Sequence, residues 1–236
     1  MIQAVVLVGG RGRRLRPLTE MMPKPLLLVR GKPFLEYQFE RLRGFGVTRV
    51  LLLTGYLGSW FEEHFGDGSR LGLRLGYVRE ETPLGTGGAL RNAADKLEDE
   101  FLLLNGDTLL AIDYACLVAR FRQGGKPGLL VAFENPAGDP PNNLKLAPNG
   151  RVLAYDRHNP AGLTHVDAGV GVFRREILKL IPARRVVSLE EEVYPRLIER
   201  GELWAFSTGQ RFFDMGTFPG LEALLAELEA VEAEKE

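Results

Sequence analysis

At 236 residues and 45% apolar, the chain can bury a large core and fits one α/β domain of generous size. A net charge of −1 and a pI near 6.4 exclude a general nucleic-acid binder, whose balance would be strongly basic. The single cysteine, Cys116, excludes an internal disulfide and a cysteine-based zinc site, and the three histidines (His64, His158, His165) show no metal-ligand spacing.

The chain opens on an apolar run, Ala4 to Val8, which reads as a fully buried strand. Val8-Gly9-Gly10-Arg11-Gly12-Arg13-Arg14 follows, with Lys24 close behind. A glycine-rich turn off a buried strand lets backbone N–H groups approach a polyanion, and the basic side chains supply charge for phosphate oxygens. The stretch therefore reads as an anion site, for a nucleoside triphosphate. It lacks the Gly-Lys-Ser/Thr of a Walker loop, and Leu15 stands where a dinucleotide fingerprint needs its third glycine.

Gly-Gly-x-Gly-x-Arg-Leu-x-Pro-Leu-Thr at 9–19, followed by Pro23-Lys24-Pro25-Leu26, resembles the N-terminal motif of the sugar-1-phosphate nucleotidylyltransferases. The resemblance implies a nucleotide site that includes Val8, Gly9, Gly10 and Gly12, with Arg14 and Lys24 as catalytic residues. Arg13 stands where the family usually has a small hydroxyl residue; it either adds charge to the triphosphate site or points into water.

Leu26 to Val29 reads as a short strand turned by Gly31, and Phe34 to Arg43 as a helix with Leu35, Phe39 and Leu42 on one face. Arg49–Thr54 is the next buried strand, Leu57–Phe65 a helix and Leu71–Val78 a third strand. This rhythm indicates a parallel sheet covered on both faces. Glu80-Glu81-Thr82-Pro83-Leu84-Gly85-Thr86-Gly87-Gly88 then opens a helix with apolar Leu90, Ala94 and Leu97. Free N–H groups at a glycine-rich helix start favour anions or ring acceptors. Pro-Leu-Gly-Thr-Gly-Gly-Ala resembles the family's base- and ribose-recognition loop, which implies Glu80, Pro83, Gly85 and Thr86 as nucleotide-binding residues. Glu80 stands where some members use a glutamine.

Phe101–Leu104 is a central strand, and Asp107 emerges just past its C-terminal end, where open α/β sheets bind ligands. A carboxylate there suits a hard cation carrying substrate phosphates. Asn105-Gly106-Asp107 resembles the family's Gly-Asp metal motif, and the implied cofactor is Mg²⁺.

Asp113 caps a helix to Phe121 on which Cys116 reads as a packed core thiol. Gly128–Phe133 is a strand, and Asn149-Gly150 turns a hairpin between Leu144–Leu146 and Val152–Tyr155. In the family a Glu-Lys pair after such a hairpin contacts the sugar and its phosphate; the matching residues are Asp156 and Arg157. Asp167-Ala168-Gly169 occupies the place of a common Asn-Ala-Gly segment. The resemblance thus implies a sugar-phosphate site of Asn105, Asp156, Arg157, Asp167, Gly169 and Glu190, the last either a sugar contact or an ordinary first-turn acid behind the Ser188 capping box. Leu203–Ser207 is a strand, and Phe213-Asp214-Met215-Gly216-Thr217 resembles the Asp-x-Gly-Thr motif, with Asp214 as the second metal ligand beside Asp107. A last helix from Phe218 buries Leu221, Leu224, Leu225 and Leu228 and frays into Glu-rich sequence.

Taken together, the resemblance implies one catalytic domain over residues 1–236, without an added β-helix domain. The expected fold is α/β: a mostly parallel Rossmann-like sheet of the nucleotidyltransferase, glycosyltransferase-A-like type, with helices on both faces and a small β-rich sugar-side subregion. The likeness is to the mannose- and heptose-1-phosphate guanylyltransferase branch, so the expected substrates are GTP and a mannose- or heptose-type sugar 1-phosphate. UTP or dTTP, and a non-catalytic nucleotide-sugar-binding regulator, stand as alternatives. No nucleic-acid or membrane partner is expected, since no apolar run approaches the roughly twenty residues of a membrane helix. Self-association is left open. No charged signal-peptide head precedes Gly9, so the expected compartment is the cytoplasm.

Overall fold

The computed structural model describes residues 2–233; the Glu-rich end beyond them lies outside the described residues. In chain order the strands and helices are β1 (Gln3–Leu7), β2 (Leu28–Val29), β3 (Lys32–Pro33), α1 (Phe34–Gly44), β4 (Arg49–Thr54), α2 (Ser59–Phe65), β5 (Arg74–Arg79), α3 (Gly85–Asn92), β6 (Glu100–Asn105) and β7 (Thr108–Leu110). There follow α4 (Tyr114–Gly124), β8 (Gly128–Glu134), β9 (Leu144–Leu146), β10 (Val152–Tyr155), β11 (His165–Arg174), α5 (Tyr194–Glu199), β12 (Leu203–Thr208), β13 (Phe212–Asp214) and α6 (Phe218–Ala233).

Nine strands form one sheet in the order β10-β9-β11-β6-β1-β4-β5, with β8 on β11 and β12 on β8. The β5-β4-β1-β6 half and the β8–β12 pair are parallel, whereas β11 runs against β6, β8 and β9. The core explains why the central strands read as continuous apolar runs. Along β1, Ala4 and Val6 pack with Leu35, Phe39, Phe61 and Phe121 on one face. Val5 packs with Leu90, Leu189 and Leu197 on the other. Both faces are dry, so the middle residues of these strands must be apolar, and polar residues fall at the strand ends. A third cluster, Val29, Phe34, Leu109, Phe213, Met215 and Leu224, lies under α6. Among the described residues no helix is long and apolar enough to cross a membrane.

Several local expectations shift. Of Leu26–Val29 only Leu28–Val29 pairs, with Lys32–Pro33, because Lys24–Leu26 is a 3₁₀ turn. The strand expected from Leu71 starts at Arg74, because Ser69–Leu71 is a 3₁₀ turn flanked by left-handed Gly68 and Gly72. The helix expected from Leu57 starts at Ser59, because Leu57 has φ of +53°. After α3 a 3₁₀ turn replaces the last helical turn, so Ala93 is the buried position beside Leu90 and Leu97, and Ala94 is only partly covered. Ser188 does cap a helix, its Oγ accepting from Glu191 N at 3.2 Å. The first turn, Leu189–Val193, is π-helical, so the return bond to Ser188 N comes from Glu192 Oε1 at 3.2 Å and not from Glu191.

The Cys116 expectation fails. Tyr114, Leu117, Val118 and Phe121 take the inner face of α4, and helical spacing turns Cys116 outward to solvent. Native protein should therefore react with one equivalent of a thiol reagent without denaturant. Cys116→Ser should unfold within about 0.5 kcal/mol of the parent, as exposed substitutions do; a thiol silent until unfolding would contradict the placement.

Candidate active site

The C-terminal ends of β1, β4, β5 and β6 meet at the point where the strand order turns back, and a cleft of about 710 Å³ opens there. Its floor begins with Val8, whose N–H extends the ladder to Leu53 O at 3.0 Å. Gly9, Gly10, Arg11, Gly12, Arg13 and Arg14 form one wall. Gly12 has φ of +58°, and a Cβ there would lie 3.0 Å from Thr19 Cγ2 and 3.2 Å from Lys24 Cβ. Thr19 Oγ1 donates to Gly12 O at 2.9 Å, and Leu15 is wholly buried beneath the loop. Pinned this way, the loop holds Arg11, Arg13 and Arg14 exposed along the cleft.

Beside this wall lies a charged trio. Lys24, 7% exposed, donates from Nζ to Asp107 Oδ2 and stands 3.8 Å from Asp214 Oδ1. Asp107 follows Gly106, where a Cβ would run into Val8 Cγ1 and Leu7 O. The turn is fastened from below by Gln38 of α1, whose buried amide donates to Asn105 O at 2.8 Å and to Thr108 O. The ladder between β7 and β13 sets Asp214 opposite Thr108, and Met215 N donates to Asp107 O at 3.0 Å. Burial pushes the Asp214 carboxyl up and the Asp107 charge adds to it, against Lys24, the Gly216 N–H and Arg14. Asp107 and Asp214 offer hard oxygen donors on one side of a phosphate-sized cleft. No group of three or more His, Cys, Asp or Glu gathers among the described residues. Two carboxylates completed by substrate oxygens and water suit a Mg²⁺-like ion, which keeps several non-protein ligands, so the residues fit such a cation.

Glu80 follows β5, continuing the ladder through its N–H to Thr54 O at 2.9 Å. Its Oε2 accepts from Leu84 N at 3.0 Å. Its Oε1 faces the bare α-carbons of Gly9 and Gly55, where added Cβ atoms would lie 3.0 and 2.8 Å away. Burial raises this carboxyl. Pro83, Gly85 and Thr86 continue the same wall.

The helix start behaves differently from expectation. Gly87 N and Gly88 N donate to Val187 O at 2.9 and 3.2 Å, and Val187 N donates to Leu84 O at 2.8 Å. Those N–H groups are spent on the chain itself. A Cβ at Gly85 would lie 2.5 Å from Val187 O and one at Gly88 2.7 Å from Arg185 O, so the glycines admit a crossing segment. That segment delivers Glu190. Thr86 Oγ1 and Ser188 Oγ donate to Glu190 Oε2 at 2.7 and 2.8 Å, and Leu189 N donates to Thr86 Oγ1 at 2.8 Å.

Asn105, Arg157 and Glu190 line the far side of the cleft. Asp167 and Gly169 line a smaller adjoining hollow with Asn105, Glu190 and Tyr194. Gly169 has φ of +67°, and a Cβ there would lie 2.8 Å from Asn105 Nδ2. Asp156 is the exception and corrects the expectation. It lines neither hollow: its Oδ1 accepts from His158 N at 2.8 Å and Asn159 N at 3.0 Å, which holds its carboxyl low. An aspartate is short enough to close such a turn on its own backbone. Sequence reasoning missed Tyr155, Tyr194, Gln38 and Gly55, which lie outside the motifs and read as ordinary strand, helix or turn residues.

The profile of the nucleotidyl transferase family matches residues 3–230. A mannose-1-phosphate guanylyltransferase of Mycobacterium tuberculosis is 39% identical over 222 residues, covering 92% of this chain and 61% of that protein. A D-glycero-alpha-D-manno-heptose 1-phosphate guanylyltransferase of Aneurinibacillus thermoaerophilus is 29% identical over 216 residues, covering 91% of this chain and 93% of that one. The chain thus spans about three-fifths of the first relative's length and nearly all of the second's. Among solved structures, HddC from Yersinia pseudotuberculosis complexed with GMP-PN aligns with a TM-score of 0.82 at 25% identity, over 97% of this chain and 100% of that one. A putative glucose-1-phosphate thymidylyltransferase from Bacillus anthracis aligns with a TM-score of 0.83 at 18% identity, over 96% and 94%, a likeness of fold.

Asp167 carries a measurable consequence. Its Oδ2 accepts from Tyr155 OH at 3.1 Å and its Oδ1 from Gly169 N at 3.0 Å. Burial nevertheless raises its pKa from 3.8 to about 6, with Glu190 pushing the same way and Arg157 opposing. A carboxyl raised in the folded state costs nothing below its unfolded value near 3.8; the cost grows as pH rises from there and is complete above about 6. Asp167→Asn should therefore melt above the parent at pH 8, with the advantage level down to about pH 6, shrinking from there toward pH 4, and the parent's fall over that lower range flattened.

Proposed function

Because the chain belongs to the nucleotidyl transferase family, we propose that it transfers a nucleoside monophosphate from a triphosphate to a sugar 1-phosphate, with Mg²⁺, as a cytoplasmic catalytic domain. The pair proposed is GTP with a mannose- or heptose-type sugar 1-phosphate. The observation that carries this reading is the Asp107–Lys24–Asp214 trio set beside three exposed arginines of one cleft. The names of the two guanylyltransferase relatives and of the nucleotide-bearing HddC complex support it.

A sugar phosphate is already an anion and needs no base to become a nucleophile. Its oxygen forms a bond to the α-phosphorus in line with the bond that breaks, and pyrophosphate leaves with that bond's electrons. The protein's work is positioning and charge stabilisation. Arg11, Arg13 and Arg14 meet the β and γ oxygens, Lys24 the reacting phosphates, and Arg157 the incoming sugar phosphate. Asp107 and Asp214 would hold the Mg²⁺ ion, which when bound offsets charge on the phosphate oxygens. Asp167 and Glu190 face the sugar hydroxyls. Glu80 supports the choice of base. An ionised carboxylate only accepts hydrogen bonds, and the guanine edge presents two adjacent donors, N1–H and the 2-amino group. Uracil and thymine present a donor between two acceptors.

Pyrophosphate release across GTP, UTP, dTTP, ATP and CTP, each with several sugar 1-phosphates, tests the reading. GTP should lead, and Glu80→Gln should cut kcat/KM for GTP by about ten- to a hundredfold, the worth of a charge-assisted hydrogen bond, while UTP and dTTP lose far less. UTP or dTTP leading with every sugar phosphate would overturn the base assignment. Binding without turnover for every pair would make the chain a regulator.

The acidic pair makes a separate prediction. Asp107→Asn and Asp214→Asn keep shape and remove a formal charge, so each should lower turnover on the order of a hundredfold, with partial rescue at high Mg²⁺. Acting on one ion, the two should be non-additive, the double variant little worse than the worse single. Strictly additive losses, or an Asp214→Asn enzyme with unchanged Mg²⁺ dependence, would separate Asp214 from the ion.

A further inference from the structure

Immediately after β4 the chain makes a tight turn, Gly55-Tyr56-Leu57-Gly58, before α2 begins. Gly58 N donates to Gly55 O at 3.0 Å, and Leu57 takes φ of +53°, a conformation that residues other than glycine rarely adopt. Strained residues of this kind persist where the surrounding structure fixes them. The turn swings the Tyr56 side chain off the line of β4 and toward the arginine loop.

There Tyr56 touches the loop at both ends. Its backbone N–H donates to Gly9 O at 3.3 Å. Its ring lies under the Arg11 guanidinium, 5.8 Å from centroid to Cζ. Its phenol donates to Glu20 O at 2.9 Å. Gly9 and Glu20 bound the stretch that carries Arg11, Arg13, Arg14 and Arg16, all exposed and all of one charge. Leu15 and the Thr19–Gly12 bond knot the middle of that stretch, while its two limbs are closed against each other by Tyr56. Clustered guanidinium groups repel one another until an anion arrives, so a loop of this kind gains from a brace that holds it in the receiving posture.

We infer that Tyr56 is a positioning residue for the triphosphate end of the nucleotide: it sets the stance of the arginine loop, and of Arg11 above all, from outside the substrate. The inference rests on the nucleotidylyl-transfer reading of the cleft and assigns Tyr56 no contact with the base, the sugar or its phosphate. Tyr56→Phe removes the bond to Glu20 and keeps the ring under Arg11; Tyr56→Leu removes both.

Binding of GTP and of GMP to the purified protein, by calorimetry, is the deciding measurement, with thermal melts on each variant. GMP lacks the β and γ phosphates, so its affinity should stay within about twofold of the parent in both variants. GTP should weaken about two- to tenfold in Tyr56→Phe, the worth of a neutral hydrogen bond, and a further two- to fivefold in Tyr56→Leu as the cation–π contact goes. In steady state the KM for GTP should rise while that for the sugar 1-phosphate holds. In the reverse direction the KM for pyrophosphate should rise while that for the nucleotide-sugar holds. Tyr56→Phe, which keeps the aromatic packing, decides the matter should the leucine variant fold poorly. Equal losses for GTP and GMP, or equal rises in both forward KM values, would overturn the role of Tyr56. A parent protein that binds neither nucleotide would instead overturn the reading of the cleft.

Discussion

The cleft depends on where one ammonium group rests. Lys24 is nearly sealed from solvent, and a buried lysine without a counter-charge would be costly to fold. Asp107 supplies the counter-charge directly and Asp214 stands within 3.8 Å. Three stretches far apart in sequence are thereby held to one point: the turn before β2, the turn between β6 and β7, and the end of β13. Removing both carboxylates would leave the buried ammonium without a partner, whereas either one alone still balances it. The Gln38 amide below and the Met215-to-Asp107 backbone bond beside it keep the carboxylates from drifting apart.

The second glycine stretch shows how a motif can mark the right place for a different physical reason. Glycines at a helix start suggest open N–H groups waiting for an anion. Here two of those groups are taken by Val187 O, and the missing side chains make room for the strand of backbone that carries it. The consequence still reaches the cleft, because the same segment runs into the π-helical turn that lodges Glu190 against Thr86 and Ser188. Glu190 is thus tied to Thr86 of the glycine-rich wall while lining the cleft. Nothing in the spacing of Thr86 and Glu190 announces that pair.

Elements with both faces buried were legible as apolar runs: β4 spans the expected residues, and β6 and β8 lie within a residue or so of expectation. The β9–β10 hairpin was legible because Asn149-Gly150 marks its turn, although the ladder shifts register between Val152 and Ala154. The ladder that joins Asp107 to Asp214 was not, since β7 and β13 are three residues each and carry no periodicity to read. Cys116 misled because its neighbours are apolar while the helix phase turns it outward. Asp156 misled because matching a motif position fixes the backbone but not the reach of a shorter side chain. Tyr56 was invisible for a related reason: its contacts form across a loop whose closure depends on tertiary structure.

The charge layout bears on how two anions could share the cleft. A chain of net charge −1 gathers Arg11, Arg13, Arg14 and Arg157 around a single hollow, yet sets Asp107 and Asp214 at its edge. For phosphate substrates alone that pair is a liability, because each carboxylate repels an incoming oxygen at close range. Lys24 offsets one of the two negative charges at most, and burial first, then the Asp107 charge, pushes the Asp214 carboxyl up. A divalent cation held by Asp107 and Asp214 would convert the same two carboxylates from a repulsive edge into an anchor. On the proposed reading the carboxylates make nucleotide binding conditional on the cation, while the arginine wall holds the leaving pyrophosphate end on its own.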